Sequence, residues 1–263
     1  MRRREFIASV SGAVLIWPLA ASAQSPDARV RVWVDRILRM QAEAIAEKVD
    51  HFIKEVEGNV GWATGFLPAG SGLEQRRLDF LRLLRQVPAI TEVSYLDGDG
   101  REQIKTSRLA MDTLASGGDL SKEPKFVEAK AKRRYLSSVY FRKESEPYLT
   151  LAIAGTGRSA GVTVAEVNLK VIQDMVAATK VGDHGVAFVV DSQGRVIAHS
   201  DTGMLLRDFS NLDLVQAAHR TGSIPAVQAV RDVNGRQVLA TYAIVASPTL
   251  SVFVELPVEE ATK

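Results

Sequence analysis

From Tyr135 to Leu169, apolar and polar residues alternate with a period of two through three successive runs. The runs are Tyr135–Phe141, Tyr148–Ala154 and Val162–Leu169, separated by the polar stretch Arg142–Glu146 and the glycine-rich stretch Gly155–Gly161. This pattern predicts three antiparallel strands joined by turns. In the second run Tyr148, Thr150 and Ala152 share one face and Leu149, Leu151 and Ile153 the other. In the third, Val162, Val164, Glu166 and Asn168 oppose Thr163, Ala165, Val167 and Leu169. Glu166 thereby falls inside a β-branched run near the middle of a sheet. A carboxylate there needs a partner, because burying a lone charge is costly. A sheet face carrying Tyr, Thr, Glu and Asn fits a pocket wall, and it equally fits a solvent-facing surface.

Ahead of this meander, Val30, Val34, Ile37, Gln41, Ile45, Val49, Phe52 and Val56 recur at steps of three and four, predicting a helix over Asp27–Glu57. Pro26-Asp27 suits its start and Gly58-Asn59 its end. About 31 residues make a rod of roughly 46 Å, more than one small domain needs. It either runs along two modules of its own chain or pairs with a second copy. A loop over Gly61–Gly72 and a helix over Leu73–Gln86, closed by Pro88, follow.

Ile90–Leu96 and Arg101–Ser107 then read as a hairpin around Asp97-Gly98-Asp99-Gly100. That turn lacks the remaining ligands of a calcium loop at the right spacing. Asp112–Ser121 reads as a polar loop and Lys122–Arg134 as a solvated basic helix. After the meander, Lys170–Thr179 is a connecting helix. The earlier theme then returns as Val186–Asp191, a turn at Ser192-Gln193-Gly194, and Arg195–His199. Both hairpins have the form apolar strand, D-x-x-G, Arg, strand, an internal echo that suggests two related modules in tandem. A short helix over Asn211–His219 and strands over Ala226–Asp232, Arg236–Val245 and Leu250–Leu256 complete the second half. The expected fold class is α+β. A helix over 24–60 precedes two modules with antiparallel sheets, over 61–170 and 171–263.

Composition adds little to this picture: 46% hydrophobic and 24% charged residues are ordinary for a globular chain. The chain has no cysteine, which excludes disulfides and cysteine metal sites. The N-terminus changes more. Arg2-Arg3-Arg4, the apolar run Val10–Ala20 and Ala21-Ser22-Ala23 have the order of an export signal over residues 1–23. Its arginines fit a twin-arginine signal and an ordinary one equally, and retention as an uncleaved anchor is a further reading. Those residues hold three of the 33 basic and one of the 31 acidic side chains, so the remainder carries 30 of each and is formally neutral. Neutrality argues against nucleic acid as a partner held by bulk charge.

No catalytic constellation is present: there is no G-x-S-x-G, P-loop or H-E-x-x-H. His51, His184, His199 and His219 have no metal-like spacing, and no cofactor is called for. The chain therefore reads as a binding module. The candidate ligand-binding residues lie on or beside the first half's strands: Tyr95 (or its neighbour Ser94), Arg108, Tyr140, Tyr148, Glu166 and Asn168. The expected positive partner of Glu166 is either Arg108 or the cationic part of a ligand.

The stretches Phe80–Arg108, Ser137–Ile153, Val167–Ile172, Val181–Asp201 and Val252–Pro257, behind a long N-terminal helix, resemble the double Cache (dCache) extracytoplasmic sensor domains of bacteria. The resemblance implies two PAS-like modules, no enzymatic activity, and small-molecule sensing by the membrane-distal first module. It implies that Glu166 stands where the family's amino-acid-binding branch has an aspartate that holds the ligand amine, and that Tyr140 matches a ligand-contacting tyrosine. That branch also has an Arg-x-Trp-Tyr signature; Glu123-Pro124-Lys125-Phe126 stand in its place, so the arginine and tryptophan are absent and the ligand is unassigned. Such sensors normally run on into a membrane helix and an output domain, whereas this sequence stops at Lys263. Two readings follow, a stand-alone sensor acting through a membrane receptor or kinase partner and a remnant or fragment of a longer receptor, with a homodimer through the long helix as a further reading. The alternative is a periplasmic solute-binding protein serving a transporter.

Overall fold

The computed structural model describes residues 26–65, 72–143, 146–157, 160–221, 226–246 and 249–261, and the side chains of these except 26–31 and 221. The export segment and Val30's side chain lie outside that set. Helix α1 covers Pro26–Gly65, eight residues past the expected stop. Gly58 and Gly61 each cost a helix about 1 kcal/mol relative to alanine. Val60 and Ala63 beyond them are fully buried, and that burial carries the helix through. The buried face is Leu38, Ala42, Ile45, Val49, Ile53, Val56, Val60 and Ala63. Ile37, expected on that face, is exposed. The small residue Ala42 and its neighbour Leu38 take the contact instead.

Helix α2 is Leu73–Gln86. Strands β1 (Ile90–Leu96), β2 (Glu102–Ser107), β3 (Thr113–Leu114), β4 (Arg134–Leu136), β5 (Tyr140–Arg142), β6 (Glu146–Ala154) and β7 (Val162–Asn168) form one sheet, with helix α3 (Pro124–Lys132) before β4. Its order is β3-β2-β1-β7-β6-β4, with β5 also on β6. Two expectations change here. The stretch read as a polar loop contains β3, which pairs Thr113 and Leu114 with Lys105 and Ile104. The first run of the meander is two short strands, because the Ser137 hydroxyl replaces a ladder acceptor by taking the Thr150 N–H at 2.8 Å, so that residues 137–139 bulge out.

Helix α4 (Lys170–Ala177) leads to the second sheet: β8 (Val186–Asp191), β9 (Val196–His199), β10 (Gln228–Arg231), β11 (Gln237–Val245) and β12 (Leu250–Pro257), ordered β10-β11-β12-β8-β9. Helices α5 (Asp213–Thr221) and α6 (Val258–Ala261) flank it. Every strand pairing among the described residues is antiparallel. One continuous core joins α1 and α2 to the helix-facing side of both sheets, from Leu149 and Val167 to Val189 and Val252. Each large side chain buried there contributes about 1.5–3 kcal/mol. The far faces hold smaller cores, under α3 in the first module and under α5 in the second.

Three turns share one chemistry. Asp97, Asp191 and Asp232 each accept, through Oδ1, from the backbone N–H two and four residues on, and Gly100, Gly194 and Gly235 follow at φ 83°, 81° and 79°. The carboxylate satisfies the turn's free N–H groups and the glycine supplies the left-handed step. The third member, Asp232-Val233-Asn234-Gly235-Arg236, is as legible in the sequence as the other two.

Candidate ligand-binding site

The far face of the first sheet, the side away from α1, carries Glu166. Register aligns it with Glu92 on β1 and Thr150 on β6. Tyr148 pairs with Asn168 across β6 and β7 and with Tyr140 across β6 and β5. Alternation then puts Arg142 two residues beyond Tyr140 on the same side. The Glu166 residue is only 8% exposed. Its Oε2 accepts from the Tyr140 hydroxyl and, at 2.8 Å, from the Thr150 hydroxyl. Arg142 Nη2 lies 3.6 Å from the same oxygen, an ion pair looser than hydrogen-bond contact. The Arg142 guanidinium also lies 4.7 Å from the centre of the Tyr148 ring. Beside this group Glu92 is paired with Lys105 at 2.8 Å.

These contacts fix the electrostatics. Burial and the adjacent Glu166 carboxylate push the Tyr140 phenol up to about 12, so it stays a donor. Burial works against the Arg142 charge, but the acidic groups facing it, Tyr140 and Glu166, more than offset that and hold it above its ordinary value. The arrangement offers a carboxylate, a cation paired with it at 3.6 Å, and two aromatic rings. Among the described residues no three histidine or acidic side chains come together to hold a metal.

Of the six residues read from the sequence, the structure brings Tyr140, Tyr148 and Glu166 together, with Asn168 at the edge. Asn168 Oδ1 accepts from the Lys170 N–H at 2.8 Å and so starts α4. Tyr95 lies on the opposite, helix-facing side of the sheet, where the Arg76 guanidinium sits 3.7 Å from its ring centre. Arg108 is exposed at the end of β2, and its backbone N–H donates to Thr91. The charged partner of Glu166 is therefore Arg142. Arg142 had been read as turn because it opens a polar stretch, yet its two-residue spacing from Tyr140 was visible. Thr150 lies on the face the alternation marks as a pocket wall, whereas Glu92 and Lys105 are single polar positions within strands that the pattern does not single out.

The sequence matches the Cache domain family, as dCache_1, over residues 30–263. The chain belongs to that family. Its fold is that of known dCache sensors. The sensory domain of the Campylobacter jejuni chemoreceptor Tlp3 superposes with TM-score 0.72 at 13% identity, covering 90% of this chain and 98% of that one. The extracellular domain of the putative histidine kinase mmHK1S-Z2 gives 0.69 at 17%, covering 87% and 98%. The ligand-binding domain of the Pseudomonas aeruginosa PAO1 chemoreceptor PctC, solved with GABA, gives 0.60 at 17%, covering 84% and 99%. No curated protein matches the chain. As a Cache domain it is a ligand-binding sensor module without catalysis. No helix among its described residues is long and apolar enough to cross a membrane.

Proposed function

We propose that this Cache domain senses, outside the cytoplasm, a small ligand that carries both an amine and a carboxylate, and that its first module recognises it at Glu166. One observation carries the reading: a buried carboxylate, held by Tyr140 and Thr150, whose cationic partner Arg142 stands at 3.6 Å, beyond hydrogen-bond contact. A ligand amine takes the place of Arg142 on Glu166, and the released guanidinium meets the ligand carboxylate. The Arg-x-Trp-Tyr signature is absent, and on this reading Arg142 does its work. Related domains of similar fold were solved with isoleucine, L-valine and GABA, which all have this pair of groups. The order of residues 1–23 supports export.

The face of α1 turned from the core supports association of two copies. Val32, Trp33, Ile37 and Met40 are 58%, 62%, 49% and 61% exposed and cluster in its first turns. A solute-binding protein for a transporter would have two lobes with parallel sheets. The sheets here are antiparallel, which favours a sensor.

The test is a thermal-shift screen of amino acids and GABA on wild type and Glu166→Gln. A hit should raise the melting temperature of wild type and leave the variant unmoved. An equal shift in both would remove Glu166 from the site.

A further inference from the structure

The two sheets are built on one register. In the first module, Glu166 on β7 pairs with Glu92, five residues before the turn aspartate Asp97. In the second, Glu255 on β12 pairs with Val186, five residues before the turn aspartate Asp191. Both strands are central, flanked by the strand that enters the D-x-x-G-R turn and by the long strand before them. Glu255 is thus the second module's counterpart of Glu166. Its neighbours differ: Ala240 stands where the first module has Thr150, and Val186 where it has Glu92.

Glu255 is 8% exposed, and its carboxylate has no hydrogen bond or ion pair with any described residue. It lines a cavity of about 30 Å³ walled by Phe188, Phe209, Met204 and His199, with the Asp232–Arg236 pair at one side. The charged groups that face it do not neutralise it. Arg236 is committed to Asp232 at 2.8 Å, and its side chain is 57% exposed. His199 Nδ1 accepts from the Asp201 N–H at 2.8 Å, and burial holds its ring below the ordinary value and hence neutral. Asp232 adds negative charge. The cavity therefore has one acid without an ion pair, apolar and aromatic walls, and a single cation, Arg236, that is already paired with Asp232.

We propose that this cavity is a second ligand site, taking an ammonium ion or a primary amine no larger than methylamine. Size sets the upper limit, since a water needs about 10–15 Å³ of such space. Apolar walls favour an ion that gives up its water easily, and ammonium does so more readily than sodium. A divalent metal would need several oxygen ligands, and the described residues offer no such group. Burial, with Asp232 adding to it, pushes the Glu255 carboxyl up to about 7, so the acid is ready to ionise when a cation arrives.

The test uses the full chain at about pH 8 and compares ammonium and methylammonium chloride with sodium and tetramethylammonium chloride at equal ionic strength. Ammonium or methylammonium should raise the melting temperature by several degrees beyond sodium, and tetramethylammonium should not. The gain should vanish in Glu255→Gln, persist in Glu166→Gln, and vanish in wild type at about pH 5.5, where the carboxyl is protonated. Equal effects of sodium and ammonium on wild type would overturn the proposal. So would a gain that survives in Glu255→Gln or at the lower pH. The pH arm reads the same acid without any substitution.

Discussion

The Arg195 guanidinium donates to the carbonyl oxygen of Val139 at 2.9 Å. Its Nε meanwhile donates to Asp191 at 2.8 Å, and its Cζ lies 5.1 Å from the Phe141 ring centre. Arg195 belongs to the second module's first turn. Val139 and Phe141 flank Tyr140, a donor to Glu166 in the first. Strand β5 is therefore gripped from the other module, one residue either side of the tyrosine that donates to Glu166. Arg195→Lys keeps a charge for Asp191 but loses the planar fork. It should cost about 1–2 kcal/mol and broaden the calorimetric unfolding transition as the modules uncouple. A single sharp transition at the wild-type temperature would refute the coupling.

Tyr140→Phe removes a donor from a buried carboxylate without changing the packing. The expected loss is about 1–3 kcal/mol, measured by urea denaturation. Arg142→Ala should cost less, because the Arg142 side chain is 30% exposed and its charge is partly screened.

Glu255 ties stability to pH. Its folded value of about 7 lies above that of an unfolded glutamate. The folded state binds more protons across that window, so stability is highest below the unfolded value and falls as pH rises toward 7. The loss is about 3 kcal/mol. Glu255→Gln should flatten this decline, making the variant more stable than wild type at about pH 8 and equal to it in acid. Melting curves across pH, without added amine, check it.

The three aspartate-capped turns give a graded test. Gly194→Ala must hold φ 81° and brings a Cβ to 2.7 Å from the Ser210 Cα, so backbone has to shift. Gly235→Ala meets only the dihedral cost, about 1 kcal/mol, because nothing lies within 4 Å. Gly194→Ala should be the more destabilising of the two by thermal melt.

On α1, Ile53→Ala should cost about 2–5 kcal/mol, since Ile53 is buried. Trp33→Ala should stay within about 0.5 kcal/mol and instead weaken any dimer seen by light scattering. Unchanged association in Trp33→Ala would remove this face from the interface.

Much of this architecture is legible along the chain. Helix α2 and strands β1 and β8 fall where periodicity and turn residues put them, because their patterns are local. What escaped is long-range. The extension of α1 through Gly58 depends on the burial of Val60 and Ala63 in the core that α1 shares with both sheets. The split between β4 and β5 depends on a hydroxyl reaching across to Thr150. Glu166 was found because a charge amid β-branched residues stands out. Arg142 was not, because an arginine in a polar stretch looks like any other. Tyr95 and Ser94 are neighbours on opposite faces, and alternation alone did not say which face α1 covers.

Helix α1 has a mechanical consequence. Its early turns are tied to the second module: Asp35 accepts from the Val227 N–H and Gln41 donates to the Lys180 carbonyl. Its late turns are tied to the first, where Glu57 meets Arg134 at 2.7 Å. Forty residues span about 60 Å, and close-packed side chains grip the rod at both ends. Such a rod does not glide. To move against either sheet it must lift its side chains out of one set of hollows and seat them in another. Any signal carried along it travels in discrete steps, like a bolt between detents, and the spacing of its buried residues sets the size of the step.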